Sequence, residues 1–176
     1  MKKIVLITGG QRSGKSSFAE KMALGLSSNP VYLATARVWD EEFRRRVERH
    51  KENRGSMWEN IEEEQVLSRH NVGGRVVLID CVTLWATNFF FADSAGGRKE
   101  PDVKSVLEKI KAEFDLFSSQ EATFIFVTNE IGFGETSHNP IQRKFTDLQG
   151  WLNQYIASKA DEVILMISGI PVTIKK

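Results

Sequence analysis

Lys3-Ile4-Val5-Leu6-Ile7-Thr8 runs directly into Gly9-Gly10-Gln11-Arg12-Ser13-Gly14-Lys15-Ser16. The apolar run predicts a strand over Lys3–Thr8, and the pattern that follows predicts a helix over Lys15–Leu26. The octapeptide between them fits G-x-x-x-x-G-K-[ST], the Walker A pattern. Its glycines allow a tight turn that aims successive N–H groups at phosphate oxygens. The helix start contributes the positive end of its dipole, and the Lys15 ammonium is placed to reach the terminal phosphates. Ser16 is placed to ligate Mg²⁺. Strand, loop and helix together predict binding of a nucleoside triphosphate and leave open what is done with it.

Working outward, short apolar runs alternate with helical patterns, which predicts an α/β fold with a largely parallel sheet. Further strands are expected at Val31–Thr35, Arg75–Asp80, Thr123–Thr128 and Glu162–Ser168, with an antiparallel hairpin partner at Val172–Lys175. Helices are expected at Asp40–Asn53, Glu62–His70, Val82–Phe91, Asp102–Ser118 and Ile141–Lys159. Asp40 and Asp102 stand at helix N-cap positions. Val103, Val106, Leu107, Ile110, Phe114 and Phe117 recur at the spacing of a packing helix. Asp93–Pro101, with two glycines, reads as a surface loop. No repeat or linker divides the chain, so residues 1–176 are expected to form a single nucleotide-binding catalytic domain.

Charge and composition narrow the class. Lys and Arg number 24 against 23 Asp and Glu, a net charge of +1, which argues against a protein that coats nucleic acid. A hydrophobic content of 41% is enough for a core. Apolar runs such as Val76–Ile79 and Val163–Ile167 fall far short of the roughly 18 residues of a membrane span. The single Cys81 excludes an internal disulfide and a thiolate metal cluster. After Met1-Lys2-Lys3 the apolar stretch ends at Thr8, unlike a secretory signal, so a cytoplasmic protein is expected.

Two further segments carry chemistry. Val76-Val77-Leu78-Ile79-Asp80 is an apolar strand ending in an acid, which would hold Mg²⁺ or its water, accept the N–H donors of a guanine, or cap the next helix. In the Asp40–Asn53 segment, Phe43, Val47 and His50 share one helical face. Seven of the eleven residues from Arg44 to Arg54 are Arg, Lys or His. Such a segment is either a solvated charged face or a cradle for a triphosphate. Neighbouring cations favour the neutral imidazole of His50, which is a competent nucleophile. His70 and His138 lack a carboxylate or Cys partner at ligand spacing and are not expected to bind metal. Trp39 and Trp58, which flank the basic segment, read as packing residues, with the lining of a substrate cleft as the alternative for one of them.

Taken in order, several blocks resemble the bifunctional adenosylcobinamide kinase / adenosylcobinamide-phosphate guanylyltransferase family. They are Thr8–Ser16, Tyr32-Leu33-Ala34-Thr35, and Arg49-His50-Lys51-Glu52-Asn53-Arg54 followed by Trp58. Asp80-Cys81-Val82-Thr83 with Thr87-Asn88, Val127–Gly134, and Ala160–Val163 through Ser168-Gly169-Ile170 continue the match. The resemblance implies a P-loop NTPase with a RecA-like sheet. It implies phosphorylation of adenosylcobinamide, then transfer of GMP from GTP to adenosylcobinamide phosphate, giving adenosylcobinamide-GDP and pyrophosphate. His50 matches the guanylylated histidine. Nucleotide contacts, to GTP or ATP, are implied for Gly9, Gly10, Gln11, Arg12, Ser13, Gly14, Lys15, Ser16, Ala34, Thr35, Ala36, Lys51, Glu52, Asn53, Arg54, Glu62 and Asp80. Lys15 and His50 are the expected catalytic groups, and Ser16 and Asp80 the expected Mg²⁺ contacts. A homotrimer is implied too, and the apolar Phe89-Phe90-Phe91 run, larger than a small domain easily hides, is the natural interface.

Some positions depart from the family pattern. Arg49 stands where a second histidine is usual, Asp80 replaces Glu, and Ala36 replaces a hydroxyl residue. Glu135–Asn139 departs in a loop expected to face the corrinoid. Two other functions compete. A small-molecule kinase without guanylyl transfer would use His50 only to orient phosphate, and a nucleotide-driven switch would need a partner surface that the sequence does not display.

Overall fold

The computed structural model describes residues 2–37, 55–92 and 101–176. Seven strands form one sheet: β1 (Lys3–Gly9), β2 (Val31–Ala34), β3 (Glu59–Glu62), β4 (Val76–Asp80), β5 (Thr123–Val127), β6 (Glu162–Ile167) and β7 (Ile170–Lys175). Their spatial order is β3-β2-β4-β5-β1-β6-β7. Every neighbouring pair is parallel except β6 with β7, which form the antiparallel C-terminal hairpin. The described helices are α1 (Lys15–Leu26), α2 (Val82–Ala92), α3 (Val103–Ser118) and α4 (Pro140–Lys159). This is the α/β architecture expected from the sequence, with the phosphate loop leaving β1, an interior strand between β5 and β6.

The two-residue period of a strand sorts the core into two layers. Ile4 and Leu6 of β1 join Leu33, Ile79, Phe124 and Phe126 against α2, α3 and α4, where Trp85, Phe90, Phe114, Leu152 and Ile156 are fully buried. Val5 and Ile7 face the other way, with Leu78, Ile125, Val127 and Ile164, against Ala19 and Ala23 of α1. The packing stripe of α3 is as predicted: Val106, Leu107, Ile110, Phe114 and Phe117 are all buried. Trp58 packs edge-on against Tyr32 with ring centroids 5.7 Å apart, as a core residue.

Three expectations are corrected. No helix spans Glu62–His70. Instead Glu59–Glu62 pairs in parallel with Val31–Ala34, and a short 3₁₀ turn covers Leu67–Arg69. Glu63 Oε1 accepts the Gln65 and Val66 amides at 2.9 Å each, a side-chain turn that competes with helix. The hairpin partner begins at Ile170 rather than Val172, because Pro171 is tolerated on an edge strand. The Phe89–Phe91 run is largely hidden within the chain: Phe90 is fully buried, Phe89 packs against the core, and only Phe91 is exposed. The expected helix over 40–53, with its Asp40 cap and Trp39, lies outside the described residues, as does most of the 93–101 loop.

The side chain of Asp102 accepts the Lys104 and Ser105 amides at 3.1 and 3.4 Å, as an N-cap does. Asp102→Ala is expected to destabilise the protein by about 1 kcal/mol, read as a lower urea midpoint with an unchanged slope.

Candidate functional site

Parallel pairing brings distant segments to one edge. Glu62, Ala34, Asp80, Val127 and Ile7 stand in register across β3, β2, β4, β5 and β1. Every loop that follows these residues therefore leaves the carboxyl edge of the sheet, where α/β folds bind ligands.

The phosphate loop is set by backbone that only glycine accepts easily. Gly9 has φ +148°, and a Cβ there would lie 2.5 Å from the Met166 carbonyl oxygen. Gly14 has φ +94°, and its Cβ would approach the Gly169 Cα to 3.2 Å. Arg12 takes the left-handed conformation at φ 58°. The loop is braced by Ser13 N–H donating to Gly10 O at 3.3 Å and by Gly169 N–H donating to Ser13 O at 3.0 Å. Helix α1 then starts at Lys15, and its leading amides have no intrahelical acceptors.

Lys15 is only 7% exposed, and its ammonium donates to Gly10 O at 2.6 Å. Burial pulls its pKa below the ordinary 10.5, against the opposing influence of Cys81 and Asp80. Asp80 shares the α1 side of the sheet with Leu78, two residues earlier. Its Oδ2 accepts the Tyr32 hydroxyl at 3.0 Å. Of the alternatives left open for Asp80, helix capping falls to its neighbour. The Cys81 sulfur accepts the Thr83 and Leu84 amides at the start of α2, and burial raises its thiol pKa to about 12. Ser16 and Asp80 supply one hydroxyl and one carboxylate. Mg²⁺, which keeps several waters and shares its remaining positions with phosphate, suits such a sparse donor set.

The other expected contacts divide. Ala34 and Ala36 lie at the end of β2, and Glu62 is exposed at the end of β3. Thr35 is fully buried; its hydroxyl donates to Cys81 O at 2.8 Å, and its carbonyl accepts Asn88 Nδ2 at 2.7 Å. Thr35 therefore ties the end of β2 to the end of β4 through its side chain and to α2 through its carbonyl. His50, Lys51, Glu52, Asn53 and Arg54 lie outside the described residues. Among the described residues no group of three His, Cys, Asp or Glu comes together to hold a metal, and His70 Nε2 stands 3.6 Å from Glu63 Oε2, a carboxylate neighbour that sequence spacing did not show.

Sequence reading gave no role to a polar network behind the loop. Thr8 Oγ1 donates to Glu130 Oε1 at 2.6 Å, and Asn153 Nδ2 donates to the same oxygen at 3.2 Å. Thr128 donates to Asn153 Oδ1 at 2.7 Å, and Gln149 Nε2 donates to both Thr128 Oγ1 and Asn153 Oδ1. Asn129 is held by Thr83 Oγ1 through its amide and its side chain, each at 3.1 Å. A signal was present, since Gln149 and Asn153 interrupt the apolar stripe of Leu148, Leu152 and Ile156 on α4.

Fold and loop together define a P-loop NTPase with a RecA-like sheet. An ATPase from the type III secretion system of pathogenic bacteria superposes with a TM-score of 0.56 at 14% identity, covering 97% of this chain and 56% of that one. At that identity the likeness is one of fold. Residues 5–174 match the family described as CobU, cobinamide kinase / cobinamide phosphate guanyltransferase. The bifunctional adenosylcobalamin biosynthesis protein CobU of Escherichia coli K12 is 36% identical over 98% of this chain and 99% of its own length. Its namesake from Salmonella typhimurium is 34% identical over the same shares. The chain belongs to this family.

Lys15 gives the site a measurable pH signature. Between its lowered pKa and the ordinary lysine value, the free loop holds part of Lys15 neutral, and a bound triphosphate would restore the ammonium. Nucleotide binding is expected to take up protons in that alkaline window and not below it. Titration calorimetry in buffers of different ionisation enthalpy reads this uptake, and Lys15→Met abolishes it.

Proposed function

We propose that the chain phosphorylates adenosylcobinamide with a nucleoside triphosphate and then transfers GMP from GTP to adenosylcobinamide phosphate through a guanylyl-histidine on His50. The products of the second step are adenosylcobinamide-GDP and pyrophosphate. The observation that carries this reading is the family match over residues 5–174, together with relatives of nearly equal length named as bifunctional. Residues 1–176 act as one catalytic domain in this reading, working in the cytoplasm.

The chemistry assigned to each group follows from its setting. A His50 nitrogen attacks the α-phosphorus of GTP, a P–N bond forms, and the bond to the pyrophosphate oxygen breaks. Attack by the corrinoid phosphate on the same phosphorus then releases His50, so two displacements replace one difficult transfer. Lys15 and the loop amides of Gly9–Ser16 meet the charge that develops on the departing phosphates, an electrostatic task that burial strengthens. Mg²⁺ held at Ser16 and Asp80 supplies further neutralisation of phosphate charge when bound. Lys51 and Arg54, one and four residues past His50, hold phosphate oxygens. Ala34, Ala36, Glu52, Asn53 and Glu62 complete the nucleotide contacts.

Incubation with GTP labelled at the α-phosphate is expected to leave acid-labile, alkali-stable label on the protein, and His50→Ala should retain none. Equal labelling of His50→Ala and parent would sink the covalent mechanism. Label passing only from the γ-phosphate to the corrinoid alcohol would leave a kinase without guanylyl transfer.

The active assembly in this reading is a homotrimer. Exposed apolar residues on the C-terminal hairpin, Ile167, Ile170 and Val172, offer a larger surface for contact than Phe91 does. Sedimentation at micromolar concentration is expected to give three times the chain mass, and a monomer there would contradict it.

A further inference from the structure

We propose that Glu130 accepts the proton of the substrate alcohol in the phosphoryl-transfer half-reaction, an assignment that rests on the function proposed above. Strand β5 lies between β1, which carries the phosphate loop, and β4, which carries Asp80. Whatever follows β5 therefore emerges between those two groups, and Glu130 is three residues past its end. Its amide donates to Gly9 O at 3.1 Å, which fixes its backbone against the first residue of the loop.

The side chain is held by one oxygen. Oε1 accepts the Thr8 hydroxyl at 2.6 Å and Asn153 Nδ2 at 3.2 Å, and Asn153 is itself held by the buried Thr128 and Gln149. Among the described residues Oε2 receives no hydrogen bond, and no cation forms an ion pair with the carboxylate. Both donors to Oε1 are neutral, and a glutamine would satisfy them equally. The fold thus needs an acceptor at this position and has no use for a charge. Half-burying a carboxylate without a cation is unfavourable, so the charge calls for a ligand.

The chemistry of the ligand follows from its neighbours. An ionised carboxylate only accepts hydrogen bonds, so beside the phosphate loop it repels phosphate oxygens and suits a proton donor. Asp80 is differently placed, with one oxygen on the Tyr32 hydroxyl and Lys15 in its field. That setting suits a metal or a nucleotide. In the step assigned to Glu130, the alcohol oxygen bonds to the γ-phosphorus and the bond from that phosphorus to the bridging oxygen breaks. Its electron pair leaves with the nucleoside diphosphate, and the alcohol proton passes to Glu130 Oε2 and then to solvent.

The test measures the two half-reactions separately on Glu130→Gln, Glu130→Asp and parent. Phosphorylation of adenosylcobinamide is followed with γ-labelled triphosphate, and GMP transfer with α-labelled GTP and supplied adenosylcobinamide phosphate. For Glu130→Gln, kcat of phosphorylation is expected to fall about a hundredfold or more, the nucleotide KM to stay within about threefold, and GMP transfer to stay within about threefold. The parent rate should decline at low pH as the base becomes protonated, a limb that Glu130→Gln lacks. Glu130→Asp, which keeps the charge, should retain that limb with a smaller loss. Three results would overturn the assignment: an unchanged kinase rate in Glu130→Gln, a kinase pH profile identical to the parent's, or equal loss of both half-reactions. The last would place Glu130 on the nucleotide or its metal. A parent that phosphorylates nothing overturns the functional reading and this assignment with it, whereas an active parent with an equally active Glu130→Gln overturns the assignment alone.

Discussion

The site depends on how closely two backbones meet at the end of β1. Gly9 pairs with Met166 of β6, and no side chain fits between residue 9 and the Met166 carbonyl. The sheet therefore continues into the first residue of the phosphate loop, so the loop starts from a rigid element. The turn after β6 completes the clamp, because Gly169 donates to Ser13 and lies against Gly14. Ser168 and Gly169 reach this position through left-handed backbone at φ 51° and 82°. The C-terminal hairpin, remote in sequence, is thus the outer support of the loop that opens the chain.

Behind that clamp the chain spends polar groups where an apolar core would be simpler. Thr35, Thr128 and Gln149 are fully buried, and Asn88 and Asn153 nearly so. Each such group is unfavourable to bury unless paired, and pairing makes it directional in a way that apolar contact is not. Asn88 spans Thr35 O and Glu64 O, tying α2 to the ends of β2 and β3. Asn153 spans Asn129 O and Glu130 Oε1, tying α4 to the end of β5. Together these bonds fix the loops along the carboxyl edge against the helices, which is where phosphate chemistry needs rigidity.

Much of this was legible in sequence because local and global preferences agreed. The strand-loop-helix of residues 3–26, the stripe of α3 and the Asp102 cap all read the same way at every level. Strand β3 did not. Glu59-Asn60-Ile61-Glu62 offers one apolar residue, and Glu62-Glu63-Glu64-Gln65 favours helix by propensity. Pairing with β2 overrides that preference, and only long-range contact can supply such pairing. The same limit hid the roles of Glu130 and Asn153: neither is near Thr8 in sequence, and a polar residue on a helix reads first as solvated. Tyr32 on Asp80 was hidden likewise, since 48 residues separate the pair.

Environment separates the two acids that the fold brings to the phosphate loop. Asp80 is joined to Tyr32 and lies in the field of a buried ammonium, so its charge is compensated before any ligand arrives. Glu130 is joined to a threonine hydroxyl and an asparagine amide, so its charge is compensated by neither. In the roles proposed above, the two carboxylates differ by their surroundings rather than by their own chemistry: Asp80 is set toward a metal or the nucleotide, and Glu130 toward a proton donor. The separation comes from strand order: β4 carries Asp80 on the α1 side of the sheet, and β5, inserted between β4 and β1, carries Glu130 to the start of the loop itself.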